Sequence, residues 1–248
     1  IAAVDLKNKV ALHLDMVQTV GRHEGETLLG YYSSTIIARK EKLQTLSKYL
    51  VADAYFSKQP FVDELVNHDF HVVSRFRKDS NLRYLYHGLH PKGPGRPREY
   101  DGKVDFQNLR DQDFTACAVD EAGKWIAYYG RVNSPALNRD IGLVVVHDLK
   151  KDGSIKKHRI YLSTDLTLDG GQILHIYQCR FQQEFLYRDA KQELGLEHCQ
   201  AYCWQKNDFH FNASLTVASL AKVAYNLKQP GEPTPPFSIA DAKTEHIN

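Results

Sequence analysis

The chain has 248 residues, a formal net charge of +2 and 42% hydrophobic residues. This length and composition allow the buried core of one large domain or two small ones. The small net charge does not by itself indicate a nucleic-acid partner. Four cysteines do not make a disulfide framework, so a reducing cytosol is the expected compartment. No apolar run approaches the roughly 18 residues of a membrane span, and no secretory signal is visible.

The first 80 residues predict a segment of mixed α/β structure. Two alternating apolar runs flank the polar turn at residues 7–9, which is typical of a β-hairpin. The predicted elements in chain order are two strands, a helix at 35–49, a strand at 49–56, a helix starting at Pro60 and a strand at 70–77.

From about residue 81 to 165 the pattern changes to short β-prone runs between turn signals. It predicts a mostly antiparallel β module, in which Asp152-Gly153 is the clearest hairpin turn. A long helix from about residue 171 to 192 follows, capped by Asp165 or Asp169. A second helix, at about 213–227, precedes a tail that is rich in proline and glycine.

Asp53 is the most informative single residue of the first half. Apolar residues at 50–52 and 54–56 surround it, so we expect its strand to be largely buried. A buried carboxylate must be paired, hydrogen-bonded or bound to a metal ion. Without other context, a strand-end aspartate that caps a turn explains Asp53 equally well.

A row of polar side chains follows the predicted long helix. At about 100° per residue these side chains fall within an arc of roughly 80°. We call them the charged stripe: Tyr177, Arg180, Glu184, Arg188 and Lys191. Cys179, Leu186 and Ala190 lie on roughly the opposite side, and the flanking Phe181 and Phe185 predict a helix that is packed around much of its circumference. Taken alone, Glu184 is explained by an ion pair with Arg180 or Arg188.

The two acids together indicate more than either does alone. The order of strands and helices, with an acid after a strand and a second acid on a late helix, predicts a ribonuclease H-like α/β core of the retroviral-integrase type, interrupted by the β module. Such cores use carboxylates to hold two divalent cations roughly 4 Å apart. Mg²⁺, or Mn²⁺ in its place, prefers such oxygen ligands. Neighbouring basic side chains would offset phosphate charge.

The spacing Tyr177-x2-Arg180-x3-Glu184-x6-Lys191 matches the Y-x2-R-x3-E-x6-K signature of DDE transposases of the insertion sequence four group, which the chain resembles. The stretches VADAYFSK, GRPREYDGKVD and STDLTLDGGQILHIYQCRFQQEFLYRDAKQELGL are also similar to that family. The resemblance implies a metal-dependent enzyme that cleaves and rejoins DNA at transposon ends. It makes Asp53 and Glu184 the middle and last acids of a metal-binding catalytic triad. Tyr177, Arg180 and Lys191 would bind phosphates near the cleaved end, and Arg188 would bind phosphate or pair with Glu184.

The resemblance also implies a division of the chain. Residues 1–80 would be the first part of the catalytic core, 81–166 the β-rich insertion, 167–228 the second part with the catalytic helix, and 229–248 a C-terminal tail. The family's first aspartate lies on an opening strand, just upstream of the hairpin that begins here, and neither Asp5 nor Asp15 takes that role. We therefore expect a sequence that is truncated at its N-terminus. The resemblance also implies a truncated C-terminus, because the sequence ends before the usual end of the family. We expect this chain alone not to cleave DNA.

Two functions remain open at this point. The first is a transposase catalytic domain that acts on double-stranded DNA, at transposon ends and target, as a homodimer in the bacterial cytosol or nucleoid and away from membranes. The second is an inactive, truncated transposase remnant that folds or binds DNA without cleaving it. A third alternative is another nuclease with the same core, but it would not explain why Tyr177, Arg180 and Lys191 occur together at this spacing.

Overall fold

The computed structural model describes residues 1–19, 23–89, 96–228 and 238–240. The described chain is mixed α/β with a mainly β core and forms two compact units. The terminal unit comprises Ile1–His23 and Cys179–Asn248, and the central unit comprises Glu24–Gln178. Among the helices that the structure describes, none combines the length and hydropathy that a membrane span requires.

The helices and strands are as follows. In chain order they are β1 (Ala2–Asp5), β2 (Val10–His13), α1 (Leu28–Ile37), α2 (Lys40–Gln44), β3 (Tyr49–Val51), a 3-10 turn (Ala54–Phe56), α3 (Gln59–Asn67), β4 (His71–Phe76), β5 (Arg83–Leu85), β6 (Tyr100–Lys103), β7 (Phe114–Val119), β8 (Trp125–Ser134), β9 (Arg139–Leu149), β10 (Ile155–Ser163), α4 (Gly170–Cys179), α5 (Phe181–Glu193) and α6 (Trp204–Lys228).

The central unit is organised around one sheet with the strand order β3-β4-β10-β9-β8-β5-β6, and β7 also pairs with β8. β3 and β4 are parallel, and the other pairings are antiparallel. A parallel pair needs a crossover connection, which α3 provides here. The adjacent strands β4, β8, β9 and β10 contribute apolar side chains that pack with α4 into a buried cluster. The sheet is therefore the frame that positions the end of β3.

The predicted β module is present in the structure. Strands β5 to β10 lie between residues 83 and 163 and pair in antiparallel fashion, and the Asp152-Gly153 turn joins β9 to β10, with φ of +80° at Gly153. However, β10 also pairs with β4, so the module and the preceding strands share one sheet. The two compact units are defined by spatial contacts, whereas the predicted boundaries at residues 80 and 166 mark an insertion in the sequence. The predicted division therefore stays a prediction. The predicted tail lies outside the described residues, apart from 238–240.

The helix predictions need three corrections. The helix predicted at 35–49 is divided between α1, which begins at Leu28 after the N-cap Thr27, and the short helix α2, and the chain has entered β3 by residue 49. The helix predicted at about 213–227 begins earlier, at Trp204, as α6. The single long helix predicted at 171–192 is two helices, α4 and α5. The interruption falls at Arg180, whose backbone angles stay helical while its carbonyl accepts a hydrogen bond from Gln183 three residues on. The helical ladder is thus broken by a tightened turn rather than by glycine or proline.

Asp169 and Gln172 settle how α4 begins. The Asp169 carboxylate accepts the Gln172 N–H at 2.8 Å, and the Gln172 side chain accepts the Asp169 N–H at 2.9 Å. This reciprocal arrangement is a capping box. Of the two caps that the sequence allowed, Asp169 is therefore the one in place.

The terminal unit confirms the predicted hairpin. β1 and β2 pair in antiparallel register, and both contact α5 or α6. Asn212 of α6 fixes the chain beyond β2: its side chain accepts the Met16 N–H at 2.9 Å and donates to the Met16 carbonyl at 3.0 Å. Leu186 and Ala190 of α5 are fully buried in the core of this unit, with Leu215 of α6.

Asp165 is buried at the other end of β3 from Asp53. It is 7% exposed and accepts hydrogen bonds from the Tyr49 hydroxyl at 2.5 Å and from the backbone and hydroxyl of Thr167 at 2.8 and 2.7 Å. Burial alone would raise the pKa of Asp165, but these hydrogen bonds outweigh it and the pKa is lowered. The same contact raises the pKa of Tyr49 to about 12. A charged carboxylate therefore joins the segment after β10 to the first residue of β3.

Replacement of Asp165 by asparagine should lower the free energy of unfolding by about 1 to 3 kcal/mol, because hydrogen bonds to a charged acceptor are lost. The folded-state pKa is lowered, so the contribution of Asp165 is complete above the unfolded-state pKa of about 4 and disappears as the pH falls through the folded-state value. The difference between native protein and Asp165→Asn should consequently shrink on acidification. Urea unfolding measured across this pH range checks it, with exposed Glu121→Gln as control; a difference that is constant with pH would contradict the role of the charge.

Candidate active site

Asp53 lies two residues beyond the end of β3, where the chain leaves the sheet. It caps the 3-10 turn: its backbone is extended, and its Oδ1 accepts the Tyr55 N–H at 2.8 Å. Its own carbonyl accepts the Phe56 N–H at 3.1 Å. The backbone here is also bonded to β4, because the Ala52 N–H donates to the Val73 carbonyl at 3.1 Å. Asp53 is therefore held in a defined orientation at a strand end.

The expectation that Asp53 and its strand are largely buried is wrong. Asp53 is exposed, and all three residues of β3 are only partly buried. The carboxylate therefore keeps its hydration, and its charge does not need a buried counter-ion. The turn-capping explanation of Asp53 is confirmed, and it engages Oδ1, one of the two carboxylate oxygens.

Glu184 is on the first turn of α5. Its side chain is 51% exposed, and its Oε1 is 2.7 Å from Nη2 of Arg180, one helical turn earlier. The expected i,i+4 ion pair is therefore present, with Arg180 as the partner. At this exposure such a pair is worth a few tenths of a kcal/mol.

Two phenylalanines lie beside the charged stripe and were expected to pack against the protein. Instead Phe181 is 45% exposed and Phe185 is 42% exposed. The guanidinium of Arg180 lies over the Phe181 ring at 5.0 Å, and that of Arg188 lies over the Phe185 ring at 4.9 Å. The expectation of a helix packed around much of its circumference is therefore wrong for α5, which buries Leu186 and leaves these rings in solvent as supports for the two arginines.

The remaining cations of the stripe have acidic neighbours. Arg188 is 3.4 Å from Asp189, which also pairs with the largely buried Lys222 of α6 at 3.4 Å. Lys191 is 2.5 Å from Glu197, in an exposed pair that lowers the pKa of that glutamate. The face of α5 that carries Arg180, Glu184, Arg188 and Lys191 is thus a solvated band of alternating charge.

Tyr177 differs from the other members of the stripe. It lies on α4 in the central unit, is 6% exposed and packs against Tyr161 with ring centroids 4.7 Å apart. Its ring belongs to the buried cluster of that unit. Tyr177 therefore lies on a different helix, and in a different compact unit, from the other members of the charged stripe.

Two serines that no sequence pattern singled out hold the backbone around Asp53. Ser74 on β4 and Ser57 after the 3-10 turn are hydrogen-bonded to each other, and Ser74 also reaches the carbonyls of Ala52 and Asp53. The indication available in the sequence was a single small polar residue in the apolar strand HVVSRF.

The described residues contain no group of three or more His, Cys, Asp or Glu side chains arranged to hold a metal ion. Asp53 and Glu184 are both exposed carboxylates, and carboxylate oxygens are the ligands that hard cations prefer. One oxygen of each carboxylate is engaged in a contact that orients the group.

Exposed carboxylates are the kind of group that enzymes of phosphoryl transfer use to hold divalent cations, but exposed acid–base pairs also occur on ordinary protein surfaces. The family comparison is more specific: a family model described as a transposase DDE domain matches residues 1–220. The chain therefore belongs to the transposase DDE domain family, and the match includes Asp53 and the whole charged stripe. A search of curated proteins found no match.

The capping role of Asp53 can be separated from its charge. Asp53→Ala should lower the free energy of unfolding by about 1 kcal/mol, the usual cost of losing a cap. Asp53→Asn keeps a side-chain oxygen that accepts the Tyr55 N–H and should cost less than half as much. Urea unfolding of both variants checks this, and equal losses would contradict the capping explanation.

Proposed function

We propose that the chain is the catalytic domain of a DDE transposase of the insertion sequence four group, with a ribonuclease H-like core, that cleaves and transfers DNA strands at the ends of its element. The observation that carries the proposal is the family match, which takes in both acids, together with their state in the structure. Asp53 and Glu184 are both exposed, and each is oriented through one oxygen.

In this proposal Asp53 and Glu184 are metal ligands. The resemblance to the family makes them the middle and last acids of one site for two Mg²⁺ or Mn²⁺ ions. When bound, such ions activate the attacking oxygen and stabilise the leaving oxygen. The chain's own contribution is to keep Asp53 at a capped strand end and Glu184 on the exposed face of α5. In both places the carboxylate remains accessible to solvent.

The basic side chains of the stripe are proposed to bind DNA phosphates. The guanidiniums of Arg180 and Arg188 each lie over a phenylalanine ring, which orients them, and they pair with Glu184 and Asp189 through their N–H groups. Lys191 is half exposed on the same face. Tyr177 completes the signature, and its buried ring supports a role in packing α4 beside any contact with the cleaved end. The substrate is double-stranded DNA, at element ends and target, and the active complex is a homodimer in the bacterial cytosol.

Glu184→Gln tests the catalytic role in the full-length protein. The variant keeps the length of the side chain but loses the negative charge, so Mg²⁺-dependent cleavage of a duplex that carries the element's ends should fall by roughly 100- to 1,000-fold or more. Affinity for the same duplex, measured in EDTA without divalent cations to prevent cleavage, should stay within about twofold, because without a bridging cation a carboxylate makes no attractive contact with phosphate.

Glu193→Gln is the matched control, since it neutralises another acid of α5 outside the signature. It should cleave like the native protein. Retained cleavage in Glu184→Gln would defeat the catalytic assignment. DNA binding without cleavage by the native full-length protein would instead favour the inactive remnant.

Lys191→Ala tests the DNA-facing role of the stripe. If Lys191 contacts one phosphate, its loss should reduce the slope of log affinity against log salt concentration by about 0.9. Fluorescence anisotropy with the same duplex, between about 50 and 200 mM salt, measures this slope. Lys42→Ala on α2, an exposed lysine outside the signature, is the control, and equal slopes for the two variants would remove Lys191 from the interface.

A further inference from the structure

Ser74 is a fully buried serine at the point where β3 leaves the sheet. It is 0% exposed, and its hydroxyl lies 2.9 Å from both the Ala52 and the Asp53 carbonyl oxygens. Because a hydroxyl has one hydrogen, it donates to these two carbonyls in turn or shares the hydrogen between them. Its oxygen accepts a hydrogen bond from the Ser57 hydroxyl at 2.8 Å. The Ser57 hydroxyl also lies 2.9 Å from the Arg75 carbonyl, so its one hydrogen is shared between the Ser74 oxygen and that carbonyl. Ser57, Ser74 and these backbone carbonyls therefore form one hydrogen-bonded network.

These hydrogen bonds hold the backbone at the point where the pairing of β3 with β4 stops. The register of β3 and β4 ends with Val51 opposite Val73, and Ala52 adds one further backbone bond, to the Val73 carbonyl. Beyond that residue the backbone turns into the 3-10 segment. The Ser74 side chain replaces the ladder there, binding the two carbonyls from the neighbouring strand.

Asp53 is thereby restrained on both sides of its own Cα atom. Its carbonyl is bound by Ser74 and by the Phe56 N–H, and its Oδ1 is bound by the Tyr55 N–H. The two bonds to the Asp53 carbonyl limit rotation of the peptide, and the bond to Oδ1 limits rotation of the side chain. Metal sites work when their ligands are held within about 0.5 Å of the productive geometry by supporting hydrogen bonds.

We propose that Ser74 is a positioning residue for the Asp53 carboxylate, with Ser57 as its hydrogen-bonded support. This inference rests on the proposed function, in which Asp53 is a metal ligand. A merely structural serine would contribute to stability alone. Ser163 is the matched case: it is also 0% exposed, and its hydroxyl donates to the Asp165 carbonyl at 3.1 Å and accepts the Asp165 N–H at 3.0 Å.

The experiment compares Ser74→Ala, Ser57→Ala and the control Ser163→Ala in the purified protein. Three quantities are measured: the melting temperature, the hydrogen-exchange rate of the Tyr55 amide by NMR, and the affinity for Mn²⁺ by electron paramagnetic resonance. Relative to Ser163→Ala, Ser74→Ala should exchange the Tyr55 amide about three- to tenfold faster, as expected for the loss of one ordinary hydrogen bond. It should also bind Mn²⁺ several-fold more weakly. Ser57→Ala should move both quantities in the same direction by a smaller factor, and it keeps the test usable if Ser74→Ala does not fold.

Asp53→Asn distinguishes the role of Asp53 as a metal ligand from the role of Ser74 as its positioning residue. If it leaves the Mn²⁺ affinity unchanged, Asp53 is not a ligand and the proposed function loses that residue. If Asp53→Asn weakens Mn²⁺ binding while Ser74→Ala and Ser57→Ala match Ser163→Ala in amide exchange and Mn²⁺ affinity, only the positioning role of Ser74 is overturned.

Discussion

The placement of Asp53 depends on a strand of only three residues that is bonded to one neighbour in the described sheet. A parallel pairing this short gives little hydrogen bonding of its own. Side chains compensate at both ends of β3. At its start the Tyr49 hydroxyl is bound to the buried, charged Asp165, and at its end Ser74 holds the carbonyls of Ala52 and Asp53. The start of β3 is thus fixed by the segment after β10, and the end that presents the acid is fixed by a polar group of β4.

The fold was predictable wherever a local period decides the structure. The hairpin around residues 7–9, the strand β4 and the antiparallel β module follow from alternation and turn residues, and all are present. The interruption at Arg180 was not predictable, because the sequence there has no glycine or proline and the backbone angles remain helical. The burial of Asp53 was misjudged for a related reason: apolar neighbours predict a strand, but they do not say that it is short and lies beside only β4.

The sequence predicted which side chains form the candidate site, but it did not predict their burial or their neighbours. Helical spacing indicated that Glu184 pairs with a cation one turn away, and Arg180 is that cation. The same spacing gave no information on what faces Phe181 or Tyr177. The first is exposed beneath a guanidinium, and the second is part of a core. The expectation that Asp53 and Glu184 act together came from the family resemblance, because residues this far apart in sequence leave no local pattern.

The weakness of the Glu184–Arg180 pair is itself consistent with the proposed chemistry. A glutamate side chain that is half exposed gains only a few tenths of a kcal/mol from such a pair, so exchanging the guanidinium for a cation of higher charge costs little. The arginine side chain is only 20% exposed and lies over the Phe181 ring, so it keeps its place when the carboxylate turns to another partner. A guanidinium held in this way next to a metal-bound acid would be directed to the phosphate that the metal ions engage. An exposed pair of this kind orients both groups and lets them exchange partners, which a tightly buried pair would not allow.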